Sequence, residues 1–424
     1  MKIIIKDVQY LDPDNQKEKQ GHLVIEDGKI SGFTTEIISD ARKTIEGKGL
    51  WALPGFIDLH VHFREPGGES KETLSSGAHA AVAGGYTTVV CMPNTHPVMD
   101  NRMILEKFIR KAKDLPCTVF FMGSITKGIQ GKELVDFCEY NHSNIVGVTD
   151  DGRPVTNAST MLEAIQKGKE NGLLVANHCE DESMMFDRSV NQGLISEKLG
   201  LTGVPSLAEE LMVQRDLYLA KVSNCPVHIQ HVSSAASVAM IRHAKEAGVP
   251  VTAEATPHHF SLTENAVLMR GSLAKMSPPL RTENDMNAIR AGLADGTLDC
   301  IATDHAPHCD EDKTSDLLHS ANGVIGLETS FAASVTHLLD SGAMNLATLV
   351  RRLSTRPAEI LGLPSKGTLQ AGKDGDVVLV DLRKRWPISS ENFASKSRNT
   401  PFEGMALRGQ VIMTLSEGQV QYTR

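Results

Sequence analysis

Aromatic side chains are scarce in this chain: Phe, Trp and Tyr together make up 4% of its 424 residues. That leaves too few rings for a stacking platform on single-stranded nucleic acid. Net positive charge is missing as well. With 43 basic against 52 acidic side chains the formal charge is −9, so no overall cationic field draws in a polyanion, and an anionic ligand needs locally placed cations. The seven cysteines, at positions 91, 117, 138, 179, 225, 300 and 309, include no CxxC pair. An odd, unpatterned set in a chain of this length predicts reduced thiols in a reducing compartment. No apolar run reaches the ~18 residues of a membrane span, and the opening Met1-Lys2-Ile3-Ile4-Ile5-Lys6 has neither an h-region nor a cleavage site. The expectation is a cytoplasmic protein with no nucleic-acid or membrane partner.

What is present is ordinary for a globular enzyme: 41% hydrophobic and 22% charged residues, and enough length for one large α/β barrel with a satellite domain. Short β-branched runs at 55–62, 86–93, 117–125, 145–150, 173–179, 226–233, 250–256 and 298–304 alternate with helical spacing at 70–84, 102–113, 158–171, 206–222, 235–247 and 284–294. Eight strands separated by helices predict a (β/α)8 TIM barrel. An open doubly wound sheet is the competitor, but no glycine-rich phosphate fingerprint follows the first strand. Both ends are β-rich. Asp27-Gly28 and Glu417-Gly418 read as hairpin turns beside the runs 22–30 and 411–415, and a helix around 346–361 leads back from the barrel. The predicted domains are 1–52 and 363–424, which combine into one small β-sandwich-like domain, and the barrel at 53–362. Two long connections, 180–205 and 309–324, follow strand ends where barrel sites are built, and a lid is expected at 309–324.

The chemistry starts at the run Leu53 to Val61, read as one buried strand. His60 and His62 sit two apart at its end, so their imidazoles share a face and suit one metal ion, with Arg64 on the same side. A lone His-x-His is equally compatible with surface polarity. Convergence decides the matter: Asp150-Asp151 ends the fourth predicted strand, His178 the fifth, His231 the sixth and Asp304 the eighth. Ionisable residues at the C-terminal rim of barrel strands read as catalytic. Imidazole and carboxylate suit zinc, and no thiolate is placed to close the sphere, so positions stay open for water. Consecutive strand residues face opposite ways, so one of Asp150 and Asp151 points inward, and Cys179 beside His178 is expected to pack outward.

The segments PGFIDLHVHFREPG, CMPNTHPVMD, TDDG, NHCE, HVSS, PPLR and ATDHAPH resemble the signatures of the amidohydrolase superfamily, and specifically of class I dihydroorotases, over nearly the whole chain. The resemblance implies a zinc-dependent barrel hydrolase that interconverts L-dihydroorotate and N-carbamoyl-L-aspartate in de novo pyrimidine (UMP) biosynthesis. It makes His60, His62 and Asp304 ligands of a first metal, His178 and His231 ligands of a second, and Asp151 the bridge. Many relatives bridge with a carboxylated lysine, and the shorter aspartate arm leaves one or two zinc ions per chain, two being preferred. Asp304 is the implied general acid–base. His62, Arg64, Asn94, Ser277, His308, Asn322 and Gly323 are the implied substrate contacts, with Arg64 as a bidentate fork for a carboxylate. Ser277 departs from the asparagine of many class I members. The alternatives are another cyclic amidase, an allantoinase or hydantoinase, and a non-catalytic barrel that scaffolds aspartate transcarbamoylase. A homodimer and an aspartate transcarbamoylase complex are the implied assemblies.

Overall fold

The computed structural model describes residues 2–12, 15–36 and 41–424; residues 1, 13–14 and 37–40 of the expected N-terminal segment lie outside that set. The first five strands are β1 (Lys2–Leu11), β2 (Glu18–Glu26), β3 (Lys29–Thr34), β4 (Lys43–Glu46) and β5 (Trp51–Pro54). The next eight are β6 (Phe56–Val61), β7 (Tyr86–Cys91), β8 (Thr118–Gly123), β9 (Ile145–Val148), β10 (Leu174–Asn177), β11 (Val227–Ile229), β12 (Val251–Ala255) and β13 (Cys300–Ile301). The last three are β14 (Val377–Pro387), β15 (Ala406–Ser416) and β16 (Gln419–Thr423).

Strands from the two termini form one sheet in the order β16-β15-β14-β5-β1-β2-β3, with β4 on β1. Its two tight hairpins come from their turn residues. Asp27-Gly28 (φ 47° and 79°) and Glu417-Gly418 (φ 50° and 73°) are left-handed at both central positions, the conformation that matches the twist of paired strands. Ile3, Ile5, Leu23, Ile25, Val377, Leu379 and Leu415 form its core.

The other sheet runs β6 through β13 in chain order, and every pairing is parallel. A parallel bridge between Val61 and His305, with the His62 amide donating to the His305 carbonyl at 2.9 Å, joins last strand to first. That closure makes a (β/α)8 barrel and excludes the open sheet. Five of its helices begin where short polar side chains accept a backbone N–H of the first turn: Thr73, Asn101, Asn157, Ser234 and Thr282, each cap worth about 1 kcal/mol. Val90, Met92, Phe120, Met122 and Ala176 form one apolar cluster and Ile57, Leu59 and Cys300 another; Leu361 and Leu363 pack against both. The segment 346–360 is helical with one wide turn at 351–355.

The single strand expected over 53–61 is two. Pro54 pairs antiparallel with Val377 in the terminal sheet, whereas Phe56 pairs with Tyr86 in the barrel. Gly55 is the crossing point, because a Cβ there would lie 2.2 Å from Thr87 Oγ1. An unbroken apolar run hides the switch, since both halves are buried. The 180–205 connection carries a short helix, Leu194–Leu199, and 309–324 carries one turn at Asp310–Asp312. Among the described residues no helix is long and apolar enough to cross a membrane.

Candidate metal centre

His60 is brought to the rim at the end of β6 and held there by two carboxylates. Asp58 accepts from the His60 amide at 3.0 Å and from the Thr303 amide and hydroxyl at 3.1 and 2.6 Å, which ties the first strand to the residue before Asp304. Glu254, near the end of β12, lies 2.7 Å from His60 Nδ1. A carboxylate accepts, so Nδ1 carries a proton and Nε2 is the nitrogen that faces the site. That Nε2 is buried with no hydrogen-bond partner, and the nearest acids are Asp151 Oδ1 at 3.5 Å and Asp304 Oδ1 at 3.6 Å. His62 Nε2 stands 3.4 Å from Asp151 Oδ2 and 3.0 Å from Asp304 Oδ1. Four donors around one ion at the ~2.0–2.2 Å of zinc bonds sit ~3.3–3.6 Å apart in a tetrahedron. The spacings fit a metal, and a buried imidazole nitrogen with no hydrogen-bond partner suits one.

A second set shares the same carboxylate. His178 Nδ1 lies 3.5 Å and His231 Nε2 3.9 Å from Asp151 Oδ1, and the two imidazole nitrogens are 2.7 Å apart. Asp151 therefore belongs to both groups of potential ligands. Burial alone would raise its carboxyl, but His60, His178 and His231 outweigh it and hold it well below the usual carboxylate range. Asp150 points the other way: it accepts from the Ile125 and Thr126 amides at 2.8 and 3.0 Å and from the Thr126 hydroxyl. A third cluster, His228, Glu254 and Cys300, is a hydrogen-bond network. Both His228 nitrogens are engaged, Nε2 with Glu254 and Nδ1 with Thr252 Oγ1. Cys179 is buried against Asn177 and Asp216, away from the site.

Three residues here hold left-handed backbone without being glycine: Arg64 (φ 58°), His231 (φ 31°) and Asp304 (φ 46°). Such strain costs on the order of 1–3 kcal/mol each and collects at functional positions.

A cleft of about 160 Å³ opens over the donors, lined by His62, Arg64, Asn94, Asp151, His178, His231, Ser277, Asp304, Asn322 and Gly323. His60 lies beneath it, fully buried. His308 forms the adjoining wall, its Nε2 2.8 Å from the Asn322 carbonyl. Burial first, then the charges of Arg64 and Lys71, push its pKa down to about 3, so the ring is neutral. The carbonyl requires the proton on Nε2, which leaves Arg64 Nη2, 3.3 Å from that nitrogen, without an acceptor there. Arg64 Nε is anchored on the Pro307 carbonyl at 3.2 Å. Its neighbour Glu65 turns instead to Lys111 and the Leu74 amide.

Two expected substrate contacts have partners within the chain. Asn94 accepts from His62 Nδ1 at 3.0 Å and donates to Asp151 Oδ2 at 3.1 Å, orienting a ligand pair. Ser277 donates to Glu180 Oε2, and the same oxygen lies 3.1 Å from His178 Nε2. Glu254 and Glu180, each fixing the far nitrogen of a candidate ligand, are not visible in the sequence reading; the signal for Glu180 was its place two residues after His178. Glu182, Met185 and Arg188 from the 180–205 connection also line the cleft and were missed, as nothing in their spacing marks them.

Fold and site define a class: the chain belongs to the amidohydrolase family, whose model matches residues 51–420. Its relatives narrow this. It is 44% identical over 425 residues to a dihydroorotase of Syntrophus aciditrophicus, covering 100% of this chain and 99% of that one, and 43% identical over 427 residues to a dihydroorotase of Geotalea daltonii, covering 100% of both. The chain is thus a member of the dihydroorotase group of that family. Among solved structures it superposes on an L-hydantoinase (dihydropyrimidinase) of Arthrobacter aurescens with a TM-score of 0.88 at 24% identity, covering 99% of this chain and 95% of that one. A dihydropyrimidinase of Brevibacillus agri gives 0.86 at 24% identity with the same coverage. At that identity the likeness speaks for the fold alone.

Proposed function

We propose that the protein is a zinc-dependent dihydroorotase that reversibly interconverts L-dihydroorotate and N-carbamoyl-L-aspartate, a step of UMP biosynthesis. The observation that carries the reading is Asp151 shared between two ligand groups, with an acceptor-free guanidinium edge of Arg64 in the same cleft. His60, His62 and Asp304 would hold one zinc, His178 and His231 a second, with Asp151 common to both. Such a pair supplies Lewis-acid polarisation of an amide carbonyl and a water acidic enough to ionise near neutrality.

The chain's own groups do the rest. Arg64 receives the ring-borne carboxylate on two N–H donors, close to the Asn322–Gly323 wall. Burial alone would raise the Asp304 carboxyl, but His60 and His62 outweigh it and leave it far below the ordinary range, so it starts as a base. Asp304 takes the proton of the attacking water and hands it to the ring nitrogen as the C–N bond breaks, and the same transfers run backwards in ring closure. Asn94 and Glu180 keep His62, Asp151 and His178 in place while charge moves.

A carboxylate-binding arginine favours dihydroorotate over allantoin and hydantoin, and six intact candidate ligands argue against a dead scaffold. Free cysteines throughout suit a cytoplasmic location. The test is turnover of dihydroorotate, allantoin and hydantoin by zinc-loaded protein, alone and mixed with aspartate transcarbamoylase, alongside metal analysis and sizing for a homodimer. Turnover of the latter two substrates but not the first would overturn the reading, and full zinc without turnover in either setting would favour the scaffold.

A further inference from the structure

The wall of the cleft that carries Asn322 and Gly323 is built on an arrangement the proposed chemistry does not use. Lys313, half-buried in the 309–324 connection, directs its ammonium at three backbone carbonyls: Lys275 at 3.1 Å, Ala321 at 2.8 Å and Gly323 at 2.9 Å. An ammonium has three N–H donors, and each has an acceptor. Lys275, buried beside it, donates to the carbonyls of Leu317 at 2.5 Å and Ser320 at 2.6 Å. Backbone bonds complete the knot, with the Gly323 amide on the Lys275 carbonyl at 3.1 Å and the Ala321 amide on the Asp312 carbonyl at 2.8 Å. Two lysines thus tie the connection after β13 to the segment before Ser277. Asp312 pairs with Lys71 at 3.0 Å, and Asp187 and Asp316 act on Lys275 through space, while the hydrogen bonds of Lys275 and Lys313 run to neutral carbonyls.

Burying ammonium groups on neutral partners is costly, and charge-assisted bonds are the strong kind. The cost is sensible if the result is geometry. Gly323 sits at φ 127° with its Cα packed so tightly that a Cβ would meet Ala306 Cβ at 2.7 Å. Its carbonyl also accepts from Asn399 Nδ2 at 3.1 Å, and the preceding Asn322 carbonyl holds His308. Displacing Gly323 therefore displaces the ring whose proton leaves Arg64 Nη2 open.

We propose that Lys313 is a positioning residue for anionic substrate: it staples the 309–324 connection into a fixed wall, so that His308 and Arg64 meet the substrate carboxylate preset. The inference rests on the dihydroorotase reading for the ligand's identity. It replaces a hinged lid at 309–324 with a wall set before substrate arrives, which places the effect in binding rather than in the chemical step.

The test compares wild type with Lys313→Met, of similar length but without donors. Loss of the staple predicts a KM for dihydroorotate raised about tenfold, kcat held within about threefold and zinc content unchanged. Hydrogen exchange should quicken about tenfold at the Ala321 and Gly323 amides and stay as in wild type in the barrel strands. An unchanged KM, unchanged exchange at those amides, or joint loss of kcat and zinc would overturn the proposal. Should the variant not fold, ligand-free wild type decides: its Ala321 and Gly323 amides should exchange more slowly than the exposed 314–316 stretch, and equal exchange there would sink the staple. Wild type that turns over no dihydroorotate would sink the functional reading instead, while the exchange comparison still judges the staple.

Discussion

Replacing Glu254 with glutamine probes the centre without touching any atom proposed to bind metal or substrate. The Glu254 carboxylate is fully buried and receives three donors: His60 Nδ1 at 2.7 Å, His228 Nε2 at 3.1 Å and the His231 amide at 3.2 Å. Burial by itself would raise it, yet His60 and His228 bring it down to about 2, so it is ionised throughout the working pH range. Glutamine keeps the volume, removes the charge and puts two N–H donors where one acceptor oxygen was. If that amide faces His60, Nδ1 must become the acceptor and the proton moves to Nε2, the nitrogen aimed at Asp151 and Asp304. An imidazole protonated there has no lone pair to offer. Outer carboxylates of this kind are worth roughly 10–100-fold in metal affinity, or about 1.4–2.8 kcal/mol at 1.4 kcal/mol per decade. The assay is competition for zinc against a chromogenic chelator, with urea unfolding of the metal-free protein to separate affinity from stability. Zinc affinity within about twofold of wild type would refute the argument that Glu254 sets the His60 tautomer.

Asp304→Ala is expected to fold and to keep one zinc while turnover falls by about 10²–10⁴-fold, the usual worth of a positioned acid–base; near-normal steady-state rates would remove it from that role. Arg64→Met removes charged hydrogen bonds worth about 1.5–3 kcal/mol, so kcat/KM for dihydroorotate should drop roughly 10–100-fold, with zinc content unchanged on metal analysis. Glu328, held against the Ala394 and Ser395 amides at 3.0 and 3.1 Å, is raised to about 7 by burial, with Glu72 adding to it. A raised carboxyl stabilises the fold fully below its ordinary pKa of 4.5, and that stability is lost as pH climbs through 7. The stability of Glu328→Gln relative to wild type should therefore rise by about 1–2 kcal/mol from pH 4.5 to pH 8, read from urea midpoints at both pH values; an equal difference at both would contradict the assignment.

Where the chain order of elements mattered, periodicity was enough. Helical spacing marked Ala158–Glu170 to within a residue or two, because an amphipathic helix advertises its buried face every three to four residues. The barrel strands were legible for a similar reason: buried on both faces, they read as short β-branched runs between helices. The break at Gly55 was not, since an apolar run looks the same whether one sheet or two receive it. Asn94 lines the cleft as a candidate substrate donor, and its bridge between His62 and Asp151 depends on where β7 sits beside β6, which no local period reports.

By itself the sequence determined which side chains share a local face, His60 with His62 by the two-residue period of a strand, and it marked the Asp27-Gly28 and Glu417-Gly418 turns. It also placed six candidate ligands at strand ends. Only tertiary structure decided how those ends meet: that Asp151 stands between both histidine pairs, that Glu254 reaches His60 across 194 residues of chain, and that Lys313 caps three carbonyls. The reason is physical. Local periods report solvent and backbone geometry within one element, whereas a buried charge is stabilised by whichever donors closure of the barrel brings within hydrogen-bond reach, and no spacing along the chain encodes that distance.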